Sequence, residues 1–91
     1  MKIETNSLVG VDLTGKIVVL KDGVLKPCYD TFDNYFYRAT GGFGCFPGTI
    51  GKAVFTDSLA EPELKERWSR GDFAGWLTDD QYAELKAKQN S

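Results

Sequence analysis

The sequence predicts a mainly β, α+β domain: a small bent antiparallel sheet or partly open barrel of about five strands, with one C-terminal helix. Three observations point there. Short runs of β-branched and aromatic residues recur along the chain, each bounded by Gly, Pro, Asn or Asp. Five of the ten glycines fall within residues 40–51, as expected of a special connection between strands. Thr78-Asp79-Asp80-Gln81 has the spacing of a capping box, with Thr78 as N-cap, and so announces a helix.

In chain order, Leu8-Val9-Gly10-Val11-Asp12-Leu13 reads as a short opening strand, cut by Thr14-Gly15. Ile17-Val18-Val19-Leu20-Lys21 then runs into Asp22-Gly23 and Val24-Leu25-Lys26-Pro27. Asp-Gly between apolar runs predicts a two-residue type I′ hairpin, in which Leu20 faces Leu25 and Val18 faces Pro27. Tyr35-Phe36-Tyr37-Arg38-Ala39 is an aromatic strand, with Tyr35, Tyr37 and Ala39 on one face and Phe36 and Arg38 on the other. After the glycine-rich stretch, residues 52–57 read as another strand. Residues 58–77 suit a helix opened by Pro62 or a strand. We favour a strand over 66–70, because an antiparallel sheet needs a partner for the strand before it. Residues 79–88 follow as a helix, acidic at its start and lysine-rich at its end, with Tyr82 and Leu85 as its docking face.

Length and composition bound the rest. A chain of 91 residues is a single domain spanning 1–91, and 42% hydrophobic residues with 13% aromatics can support one core without staples. A net charge of −2 with mixed signs along the chain argues against a dedicated nucleic-acid binder. The N-terminal residues lack a signal-peptide pattern and the longest aliphatic run is four residues (17–20), so the expectation is a cytoplasmic protein without a membrane segment. Cys28 and Cys45 are too few for a disulfide scaffold and lack metal-ligand spacing, so both are expected as reduced thiols, buried and inert.

The absence of histidine removes the Ser-His-Asp and Cys-His arrangements and the common imidazole metal sites. Gly51-Lys52 fails the phosphate-loop pattern, since Phe46 and Ala53 stand where it needs a glycine and a hydroxyl. No enzyme chemistry, metal or cofactor is therefore expected. The glycines serve either to let Phe43 and Phe46 fold inward or to shape an exposed binding loop; the expectation is Phe46 buried and Phe43 at the rim.

Gly41-Gly42-Phe43-Gly44-Cys45, then Pro47, Gly51-Lys52-Ala53-Val54-Phe55 and Arg67-Trp68-Ser69-Arg70-Gly71-Asp72-Phe73 resemble small accessory proteins of phages, plasmids and integrative elements. That group has no assigned activity, so no residue role carries over. The resemblance implies a protein of a mobile element that binds and modulates a host or competitor protein.

The expected function is a non-catalytic protein-binding module, an inhibitor or anti-defence factor, contacting its partner through Arg38, Phe43, Lys52, Arg67 and Arg70 around the 40–51 loop. The alternative is a single-stranded nucleic-acid or nucleotide binder that stacks bases on Tyr35, Tyr37, Phe43 and Trp68, beside the same cations.

Overall fold

The structure is a computed structural model, and it describes residues 3–89. Five strands form one antiparallel sheet: β1 (Ile17–Leu20), β2 (Phe36–Gly41), β3 (Ala53–Ser58), β4 (Lys65–Ser69) and β5 (Phe73–Leu77). Their spatial order is β4-β3-β2-β1-β5. A C-terminal helix, α1 (Asp79–Gln89), completes the fold.

This order forces the sheet to roll. β4 and β5 are its two opposite edges, yet only one 3-10 turn, Arg70–Asp72, joins them. In a flat sheet the four spacings between them would amount to about 19 Å. The four peptide steps from Ser69 to Phe73 reach at most about 14 Å. Curling the sheet resolves the mismatch, and register shifts between Val19 and Leu20 and between Ala39 and Gly41 mark where the ladder bends. The roll stops short of closure, because β4 and β5 are not paired with each other.

Inside the roll, β1 is an interior strand, paired on both sides by β2 and β5. Its four residues are all buried, so it reads as a continuous aliphatic run and not as an alternation. Phe36, fully enclosed on β2, meets Phe32 edge-on at 4.9 Å between ring centroids and Tyr82 of α1 at 5.0 Å. Tyr82 and Leu85 are thus the docking face of the helix, as its sequence predicts. The capping box forms in full: Gln81 donates its N–H to Thr78 Oγ at 3.0 Å, and Thr78 donates its N–H to Gln81 Oε1 at 3.0 Å.

Three expectations are corrected. Asp22-Gly23 does form a turn, closed by a bond from the Val24 N–H to the Lys21 carbonyl, but no hairpin follows. Gly23 has φ +88° whereas Asp22 is not at positive φ. That is type II character; type I′ needs both residues at positive φ, and only the primed turns match the twist of paired strands. Residues 24–27 run on into a 3-10 turn opened by Pro27, and both edges of β1 are taken by β2 and β5. The opening segment 8–13 is not a strand either. Its Leu13 is buried and donates its N–H to Cys45 O at 2.8 Å, and pairing in this region is limited to a bridge from Asn6 to Trp76. Finally, residues 58–77 hold two strands, β4 and the unanticipated β5. Gly75 interrupts the apolar pattern of β5: a Cβ there would sit 2.5 Å from the Asn6 carbonyl oxygen.

Candidate protein-binding surface

Three irregular segments meet around one side chain. Arg70, in the 3-10 turn after β4, is 6% exposed. Its Nη1 donates to the carbonyls of Gly44 (3.1 Å) and Cys45 (2.9 Å), and its Nη2 to those of Leu8 (2.5 Å) and Val11 (2.9 Å). The fork of the guanidinium suits this: four N–H groups diverge in one plane toward four acceptors. Its backbone N–H also bonds Lys52 O at 3.0 Å. Loop 8–13, the glycine-rich loop and the turn 70–72 are thereby pinned into one rigid surface.

The glycine-rich loop fits this frame tightly. Gly44 approaches the chain so closely that a Cβ would lie 2.3 Å from Lys52 O and 2.8 Å from Ala53 O. Much of the Gly-Gly-Phe-Gly-Cys and Arg-Trp-Ser-Arg-Gly-Asp pattern is thus architecture: it builds the cradle of Arg70. What the loop leaves outside is apolar. Phe43 is 78% exposed, Ile50 78%, and Val9 on the neighbouring segment 88%. Val9 and Ile50 line one shallow depression of about 270 Å³ above Arg70 and Phe73.

The five residues singled out from sequence divide. Phe43, Lys52 and Arg67 are exposed, Arg67 lying across from Phe55 in the β3–β4 register. Arg38 is half-buried and occupied, donating from Nη1 to Gly15 O at 2.9 Å and to Asp79 Oδ1 at 3.1 Å, where it holds the start of α1. Arg70 is corrected outright from a surface anchor to an internal strut. Phe46 is not buried as expected but half-exposed, since the cradle beneath it is already filled by Arg70 and Cys45. Cys45 is buried and free, with Sγ near Gly41 O at 3.3 Å; Cys28 is free but exposed, against expectation, because residues 24–29 peel away from the sheet. Sequence reasoning missed Val9 and Ile50. Ile50 carried a signal all the same: a lone aliphatic residue in Gly-Thr-Ile-Gly has no strand or helix face to join.

A second concavity, sharing no residue with the first, encloses about 600 Å³ between residues 24–34 and the β3–β4 connection. Tyr29, Tyr37 and Trp68 wall it, with Glu61, Glu66 and Lys26 among its polar groups. Burial, then the charge of Glu66, then a hydrogen bond to that carboxylate push the Tyr37 hydroxyl up to about 12. The Tyr35 hydroxyl reaches about 12 as well, chiefly through its hydrogen bond to Asp30, then burial and the charges of Asp30 and Asp22. Both phenols are raised, so their stabilisation is fully present below the unfolded value near 10 and is lost as pH climbs through about 12. The urea midpoint is expected to fall between pH 10 and about 12, with a shallower fall in the Tyr35→Phe/Tyr37→Phe double variant. Equal slopes in the two proteins would show that these phenols are not what titrates with unfolding.

Among the described residues, no group of three or more acidic, cysteine or histidine side chains is placed to hold a metal ion, and no helix is long and apolar enough to cross a membrane.

No protein-family model, curated protein or solved structure matches this chain.

Proposed function

We propose that the chain is a non-catalytic protein-binding module whose contact surface is the apolar rim around the Arg70 cradle. One observation carries this reading: Val9 and Ile50 stand largely exposed and line one depression over Arg70, and Phe43, exposed on the same loop as Ile50, directly precedes the Gly44 and Cys45 carbonyls that Arg70 holds. Clustered exposed apolar side chains mark contact sites, and a frame ordered in advance spares the entropy that a floppy loop would lose on binding. Arg67 and Lys52 supply polar neighbours at the edge of such a contact. The base-stacking alternative loses two of its four rings, since Tyr35 and Tyr37 are 2% and 5% exposed, and two of its cations, Arg38 and Arg70, to internal bonds. The finer reading, that the partner is a host or competitor protein modulated by a mobile-element accessory factor, rests on the motif resemblance alone.

A photo-crosslinking residue placed at Phe43 or Ile50, in cells that make the protein, is expected to trap one discrete heterologous protein. Phe43→Ser with Ile50→Ser is expected to abolish binding of that protein while changing stability by no more than about 0.5 kcal/mol each. Crosslinks only to further copies of the same chain, or none at either position, would overturn the proposal.

A further inference from the structure

All seven large hydrophobic side chains that stand exposed among the described residues fall into a few places, and Tyr29 and Leu64 belong to the second concavity. Tyr29 is 58% exposed on the 3-10 turn Pro27–Tyr29, and Leu64 lies just before β4. Between them run Tyr37 and Trp68, whose ring centroids are 5.4 Å apart at 58°. The walls are therefore aromatic and aliphatic, and the volume of about 600 Å³ is that of a ligand site.

The charge at this groove is one-sided. Glu61 and Glu66 line it against a single lysine, Lys26. The ion pairs Arg38–Asp79 and Lys65–Asp57 engage neither carboxylate. The segments that border the groove, 22–35 and 59–66, carry Asp22, Asp30, Asp33, Glu61, Glu63 and Glu66 against Lys26 and Lys65. The charge of Glu66 helps to raise the Tyr37 hydroxyl, which sets its carboxylate beside the aromatic wall that both residues line. Trp68 turns its indole Nε1 away from solvent, where it is enclosed without an acceptor.

From this charge complementarity we propose that the Tyr29–Tyr37–Trp68 groove is a second contact site, which receives an extended basic segment of a partner protein. An arginine or lysine side chain lies against the aromatic faces with its charged head between Glu61 and Glu66, and flanking aliphatic residues rest on Leu64, Val24 and Leu25. A cation over aromatic faces is attracted by their π-electron density, and desolvation in a groove strengthens that attraction. An acidic or nucleic-acid ligand would meet uncompensated repulsion from the same two carboxylates. The occupant is thus distinct in chemistry from whatever covers the apolar rim, and the site stands whether or not that rim binds.

The test uses short synthetic peptides, acetyl-Ala-Leu-Arg-Leu-Ala-amide and its citrulline counterpart, titrated into isotope-labelled full-length protein. Citrulline keeps the shape of arginine and removes the charge. The arginine peptide is expected to shift the Trp68 indole and Tyr29 resonances, and to bind at least about fivefold more tightly than the citrulline peptide. Glu66→Gln retains an acceptor for Tyr37 and is expected to erase most of that difference, as is Tyr29→Ala, whose exposed ring can be removed without disturbing the core. Raising the salt concentration is expected to weaken the arginine peptide alone. Equal affinity of the two peptides, or shifts gathered at Ile50 and Val9 and absent at Trp68, would overturn the proposal. Phe43→Ser with Ile50→Ser is expected to leave the titration unchanged, which separates its failure from failure of the apolar rim.

Discussion

Arg70→Ala is expected to destabilise the protein by about 3–5 kcal/mol, the range seen when one partner of a buried charged arrangement is removed. The guanidinium is 6% exposed and each of its four terminal N–H groups has a backbone carbonyl: Gly44, Cys45, Leu8 and Val11. Deleting it leaves those carbonyls facing a cavity that their own loops cannot close without moving. In a domain of this length, whose total stability is on the order of 5–10 kcal/mol, that is about half of the margin. The melting temperature should fall by at least about 12 °C. Arg70→Met separates packing from bonding, because it keeps the stem and loses the fork; it is expected to be nearly as damaging as alanine. Arg70→Lys keeps the charge but offers three donors from one point, and is expected to fall between the parent and the methionine variant. Thermal unfolding of the four proteins decides the matter, and a methionine variant as stable as the parent would show that the four carbonyl bonds contribute nothing.

Gly44→Ala is expected to cost about 3 kcal/mol or more, for a reason unrelated to backbone freedom. Gly44 is not at positive φ; it is a place where two stretches of chain touch. An added methyl would sit 2.3 Å from Lys52 O, 2.8 Å from Ala53 O and 2.7 Å from Val54 Cγ2. Two of those atoms are backbone at the entrance to β3, so they can yield only by moving the strand or the cradle. Overpacking of this kind typically costs about 1–3 kcal/mol, and more where backbone is the obstacle. Gly51→Ala is the control. Gly51 has φ +88° and open space around its Cα, so alanine there meets only the left-handed strain of about 1–2 kcal/mol. Denaturant unfolding should therefore rank Gly44→Ala well below Gly51→Ala, and the reverse order would refute the close-approach account. If Gly44→Ala also shifts the loop, the exposed Phe43 beside it moves, and binding at the apolar rim should weaken together with stability.

Taken alone, the amino-acid sequence determined the features whose causes are local. The helix Asp79–Gln89 follows from a capping box written within four residues and from an acidic start and basic end. The strands at 17–20, 36–41 and 53–58 follow from β-branched and aromatic runs between breakers, and the mainly β class with one helix follows from those elements together. Exposure of Phe43 and Arg67 was legible too, as positions on a loop and on the outward face of a strand.

Tertiary structure alone decided which elements met. Asp22-Gly23 looked like the tip of a hairpin, but whether the following residues pair is settled by competition for the edges of β1, and residues 36–41 and 73–77 won both. β5 itself was hidden, because Gly75 breaks its pattern for the sake of a contact with residues almost seventy positions earlier in the chain. Arg70 is the sharpest case. At the end of the strand read over 66–70 it looked like an arginine of the contact surface, and nothing near it in sequence reveals four carbonyls delivered by two other loops. The reason is physical: caps, turns and propensities act over a few residues, whereas the burial of a charge depends on acceptors gathered from segments far apart in the chain. The same holds for the Tyr29–Tyr37–Trp68 groove, whose walls come from three separate stretches and acquire a common surface only when the sheet rolls.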